Sequence, residues 1–310
     1  MTKHAPITAW WLGVNEMFFL STGHVQSSKQ QAQTAPALRQ VTVWLDELAP
    51  HQGAFAHALE WALLLRLPLH AVAPVNKGLP CIAADALAAC AATCEREGIA
   101  WRYSGEDLDK SSIMTASRPL ENGFFVLGGA LPRSLRTQWL RAASSLFVDG
   151  PLFCPPAWGS LRRAMVVNVN SMSSSQFLAN AAAICRGAGC AVSVLTLSHS
   201  ENKALRLQDS ALRAFAGQRV VADFHTVVGS NARTAIAMVT EWCRCTHIFV
   251  ERKRPSGLRR WLDTGIRNEF WELAERYAIL PVADGPSLLA QHMQQISQER
   301  AAASDKRVSH

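Results

Sequence analysis

The stretch RAMVVNVNSMSSSQFLANAAAICRGAGCAVSVLTLS, Arg163 to Ser198, reads as a complete strand–helix–strand unit. RAMVVNVNS and CAVSVLTLS are short and almost continuously apolar, as strands covered on both faces are. Between them, SSSQFLANAAAICRGAG places Phe177, Leu178, Ala181, Ile184 and Cys185 on one helical stripe and ends in glycines. A strand returning to its sheet through a helix lies parallel to the first. This unit sets the fold class as α/β.

The pattern continues downstream. ENKALRLQDSALRAFAG predicts a helix, VVADFHTVVG a strand, NARTAIAMVTEWCRC a helix and THIFVER a strand. The helix IRNEFWELAERYA and the strand ILPVAD follow. Upstream, the same alternation has already occurred once. VTVWLDE, PLHAVAPV, IAWRYSG, GFFVLGG and PLFCP read as strands. HQGAFAHALEWALLLRL reads as a helix with Phe55, Leu59, Ala62 and Leu63 on one face, and IAADALAACAATCEREG as a helix closed by Gly98. Alternation run through twice is an internal repeat and predicts two parallel sheets in tandem. The expected organisation is an arm and linker over 1–39, a first domain over 40–157, a second over 158–286, and a polar tail over 287–310, whose end QQISQERAAASDKRVSH frays. PPAWGSLRR marks the junction.

Bulk composition narrows the function classes. The chain has 310 residues, 49% hydrophobic and 18% charged, which suits buried cores rather than disorder. Its net charge of +7 comes without a long basic run or an aromatic-interleaved motif, so no nucleic-acid partner is expected. Eight cysteines in a chain of this length do not make a disulfide scaffold. Cys90, Cys185, Cys190 and Cys243 sit in apolar segments and read as buried free thiols of a cytoplasmic protein. Cys243 and Cys245 form a C-x-C with no second pair at ligand spacing, so no metal is expected. The apolar patch Ala9 to Leu20 is interrupted by Asn15 and Glu16 and is too short to span a bilayer; it reads as an arm or an interfacial helix.

The order of these elements, with VWLDELAPHQGAFAHALEWA, VVNVNSMSSSQFLANAA, TVVGSNARTAI, HIFVERKRPSGLRRWLDTGIRNEF and LPVAD, resembles the universal stress protein family, once in each half. The resemblance covers about Gln40 to Gly285. It implies two doubly wound, Rossmann-like five-stranded parallel sheets of the adenine nucleotide alpha hydrolase-like group, strand order 3-2-1-4-5. It further implies that the halves meet through their final strands, near Phe153 and Val282, as a pseudo-dimer. Family members that bind ATP carry a loop G-x-x-G-x(9)-G-S/T after strand four. Its glycines let backbone N–H groups approach phosphate.

On that resemblance, the site positions are Asp46 and Gly128 in the first half, and Asn170, Gly229, Arg252, Arg254, Gly257, Thr264 and Gly265 in the second. Asp46 stands at the acidic turn, and Asn170 replaces the matching aspartate. Gly128 is at the first motif glycine of its half, whose distal Gly-Ser is missing. In the second half the first two motif glycines fall on Glu251 and Arg254, with Thr264 and Gly265 at the final pair. Gly257 lies between. Glu251 brings negative charge to a phosphate position, whereas Arg252, Lys253, Arg254, Arg259 and Arg260 could attract an anion by charge alone.

No G-x-S-x-G, H-E-x-x-H or P-loop occurs. His225 and His247 fall on strands and read as packed or hydrogen-bonded residues; Ser171 to Gln176 reads as an N-cap cluster, with a phosphorylation site as the alternative. The expectation is a non-catalytic stress-response protein with lost or altered ATP binding, no resident cofactor, and protein partners or self-association through strand edges. The alternative is an ATP-binding regulator using the arginine-rich loop, with an adenylating enzyme of the same fold group behind it.

Overall fold

The computed structural model describes residues 37–45, 53–76, 79–80, 82–107, 123–128, 150–169, 175–229, 231–252 and 272–308. The first half supplies β1 (Gln40–Trp44), α1 (Ala54–Leu65), β2 (Leu69–Asn76), β3 (Leu79–Pro80), α2 (Ala84–Arg96), β4 (Trp101–Asp107), β5 (Gly123–Gly128) and β6 (Leu152–Cys154). The second supplies β7 (Arg163–Val169), α3 (Ser175–Ala188), β8 (Ala191–Ser198), α4 (Glu201–Gly217), β9 (Asp223–Val228), α5 (Ala232–Trp242), β10 (His247–Arg252), β11 (Ala278–Ala283) and α6 (Leu288–Val308).

Each half keeps the expected order. β4-β2-β1-β5-β6 and β9-β8-β7-β10-β11 are both 3-2-1-4-5, with parallel neighbours throughout. The two blocks do not stand as separate sheets. β6 pairs antiparallel with β11, Phe153 opposite Ile279, giving one eleven-stranded sheet. Each final strand would otherwise present a bare edge of N–H and C=O groups, and the pairing satisfies both. The chain entering β6 presses on β11: the Gly150 N–H donates to the Pro281 carbonyl at 3.0 Å, and a Cβ on Gly150 would sit 2.7 Å from the Pro281 Cβ. The short β3, antiparallel to the end of β2, has no counterpart in the expected pattern.

Alternation along the strands sorts side chains to two faces. Val41, Val43, Phe124, Val126, Val166, Val194 and Phe249 join a core shared with α1, α3, α4 and α6. Trp44, Phe125, Leu127, Phe153, Val167, Leu195 and Ile279 face the other side, with α5 and Leu273 to Tyr277. The first core runs unbroken from one half to the other, and residues 36–310 form one compact unit.

Two local expectations shift. α1 buries Phe55, Ala58, Trp61, Ala62 and Leu65, while Leu63 is exposed; the helix is rotated so that the Trp61 ring packs on Phe124. The tail expected to fray is the 21-residue helix α6. The Ser287 hydroxyl caps it by accepting from the Ala290 N–H at 2.9 Å. Leu289, Ala290, Met293 and Ile296 form its buried seam against α3. Gly187 makes room: a Cβ there would lie 2.6 Å from the Met293 Cβ and carbonyl oxygen. Gly98 ends α2 at φ +69, with its N–H on the Glu95 carbonyl at 3.0 Å.

Candidate functional site

In each half the strand order reverses beside the first strand, and crevices outside the carboxyl ends of such strands are where α/β sheets hold ligands. In the first half this is the end of β1 and β5, where Trp44 pairs with Leu127 and Gly128 is the last strand residue. In the second it is the end of β7 and β10, with Arg252 as the last residue of β10.

Gly128 is buried, and a Cβ on it would meet the Ala54 Cβ at 3.3 Å. Its bareness is therefore used to seat the first turn of α1. That helix start is itself crowded, since a Cβ on Gly53 would lie 3.0 Å from the Pro156 carbonyl oxygen. Gly229 follows β9 at φ +74 and donates its N–H to the Ser198 carbonyl at 3.0 Å. Nothing stands within 4 Å of where its Cβ would be, so conformation alone explains this glycine. Arg252 is buried beside Ala283, and Glu251 beside Val282 is buried as well. Asp46, Asn170, Arg254, Gly257, Thr264 and Gly265 lie outside the described residues, as do Ser171 to Ser174 and the arm.

The Asn180 amide of α3 donates to the Ala283 carbonyl at 3.0 Å and the Gly285 carbonyl at 2.8 Å, holding the turn after β11. The Asn168 amide donates to the Leu207 carbonyl at 3.0 Å, so the strand that leads to Asn170 is tied to α4.

The structure also gathers residues that sequence reasoning did not connect. The Cys243 thiol lies 3.3 Å from His225 Nε2, with the exposed Trp242 ring edge-on to the imidazole. Cys190 and Cys243 are half-buried rather than buried; Cys90, Cys94, Cys154, Cys185 and Cys245 are buried, and no disulfide joins any of these seven. A second group lies under the junction. His57 and Glu60 of α1 and His247 of β10 bring one donor atom each within 4.8 Å of one another. Burial lowers the His57 pKa to about 4. The Ala157 backbone offsets part of this but completes no hydrogen bond to either ring nitrogen. Burial, and then the neighbouring His57, hold His247 well below the ordinary histidine value. His57 and Glu60 share a helix face at i, i+3, a signal present in HALE. His247, far along the chain, could not have been paired with them from sequence.

No family model matches the chain, and no curated protein matches it. Solved structures do. A protein of unknown function from Pseudomonas aeruginosa PAO1 superimposes with TM-score 0.51 at 14% identity, over 85% of this chain and 98% of that one. A putative universal stress protein from P. aeruginosa UCBPP-PA14 gives 0.50 at 14% identity, with the same coverage of 85% and 98%. A universal stress protein from Archaeoglobus fulgidus DSM 4304 gives 0.46 at 12% identity, over 80% and 98%. The chain has a universal stress protein-like, Rossmann-like α/β fold. Among the described residues, no helix is long and apolar enough to cross a membrane.

Proposed function

We propose that this chain is a non-catalytic, cytoplasmic regulatory or stress-response protein, a tandem pseudo-dimer whose ATP binding is lost or altered. The observation that carries the reading is Glu251. It stands at the first motif glycine of the second half and is buried at the end of β10. A phosphate there would need bare backbone and positive surroundings; a buried carboxylate offers neither. Gly128, the retained glycine of the first half, is engaged in seating α1. Function then runs through protein partners. With β6 and β11 paired to each other, self-association through edges would use the outer strands of the sheet, β9 among them.

The test is calorimetric titration of the purified chain with ATP, with and without magnesium. The expected result is no saturable heat. Binding near the micromolar range, ~8 kcal/mol, would overturn the reading and favour a nucleotide-binding regulator. Arg252→Ala and Arg254→Ala would then have to weaken that binding for the arginine-rich loop to be its site.

A further inference from the structure

His57 and Glu60 come from α1 in the first half, and His247 opens β10 in the second. Both imidazoles are fully buried, with ring centroids 5.4 Å apart. The contacts around them fix which atoms are left over. The Thr246 hydroxyl donates to the Ser160 carbonyl at 2.6 Å, so it can only accept at its 3.0 Å contact with His247 Nδ1. The His247 proton therefore sits on Nδ1, and the Nε2 lone pair is bare. Glu60 Oε1 accepts from the Ser160 hydroxyl at 2.6 Å and from the Leu161 N–H at 2.8 Å, leaving Oε2 bare. Neither His57 nitrogen completes a hydrogen bond. One donor atom from each of the three residues thus lies within 4.8 Å of the others, with both imidazoles buried, and Ser160 holds Glu60 directly and His247 through Thr246.

We infer that His57, Glu60 and His247 form a buried site for a zinc-class divalent cation that fastens the first half of the chain to the second. Two imidazoles and a carboxylate are a ligand set zinc takes, with a fourth position for water. Calcium and magnesium would ask for oxygen ligands instead. Tetrahedral bonds of about 2.1 Å place neighbouring donors roughly 3.4 Å apart. From the observed limit of 4.8 Å, the donors would close by at most about 1.4 Å on binding. The Thr246–His247 and Ser160–Glu60 bonds are the outer-shell contacts that orient metal ligands and set their tautomer. The full burial of both rings gives the cation a structural role.

The test strips the full chain with a chelator and titrates it with zinc alone, then with cobalt as a spectroscopic probe. The expected result is one equivalent bound, a raised melting temperature, and a tetrahedral cobalt band without thiolate charge transfer. Glu60→Gln keeps an acceptor for Ser160 and Leu161 but removes the charge. It should weaken zinc by at least the roughly 10–100-fold that loss of an outer-shell contact costs, while the metal-free melting temperature holds. His247→Gln should do the same, and provides a second reading if either variant fails to fold. The double variant Cys243→Ser, Cys245→Ser should bind as the parent does. No uptake, a thiolate band, or uptake lost with the cysteines and untouched by Glu60→Gln would each overturn the site.

Discussion

At the scale of single residues, the cysteines show how environment separates identical side chains. Burial pushes the Cys90 and Cys245 thiols up to about 12 and Cys94 up to about 11. Cys154 and Cys185 are raised as well, Cys185 first through its contact with Cys190 and then by burial. A thiol near 11 has about a thousandth of its molecules as thiolate at pH 8, and only thiolate reacts. Native alkylation at pH 8 should therefore label the half-buried Cys190 and Cys243 ahead of the five buried thiols. Peptide mapping should find the five buried thiols unlabelled until urea is added. Early labelling of Cys90 or Cys245 would contradict this ordering. The free thiols were legible from their apolar, Ala-rich surroundings. Their ranking was not, because it depends on which strand or helix covers each one.

At the scale of elements, strands and most helices were legible because period-2 and period-3.6 patterns report burial directly. α6 was not. Its 21 residues are mostly polar, and among the described residues its buried seam is Leu289, Ala290, Met293 and Ile296, with Leu288 packed beside them. A seam so narrow is stable where the facing helix comes close, and Gly187 allows that approach. α6 also reaches the first half: His292 Nε2 lies 2.8 Å from the Leu65 carbonyl at the end of α1. The Arg300 guanidinium donates to the Gly187 carbonyl at 2.8 Å, at the crossing itself. Gly187→Ala should therefore destabilise the chain by ~1–3 kcal/mol, the range for forced overpacking, read as a lower urea midpoint. Met293→Ala in the same chain should not restore it, because the Met293 Cβ and carbonyl oxygen, each 2.6 Å from the added methyl, both remain. Full rescue would mean that the helices are not held at this crossing.

At the scale of the whole molecule, the strand order of each half was readable because a repeated alternation with a family resemblance leaves few topologies. The conversion of two sheets into one was readable only in outline. Phe153 was expected at the contact; its partner is Ile279, three residues before Val282. The candidate nucleotide positions were the least legible, since a motif glycine says nothing of whether a helix start, as at Gly128, already fills its space. The joined sheet has a thermodynamic consequence. Contact-poor junctions let domains melt separately, whereas here one core passes through both halves, β6 pairs with β11, and α6 bonds to α1. Unfolding should be a single calorimetric transition with the calorimetric enthalpy equal to the van't Hoff value. Phe153→Ala, which empties the join on one face, should cost ~3–5 kcal/mol and split that transition in two. The split is the decisive part: a buried Phe lost from an ordinary core lowers one transition, while loss at a junction uncouples two. A Phe153→Ala chain that still melts in one step would place the coupling in the α6 contacts instead, and His292→Ala would then be the variant that separates the halves.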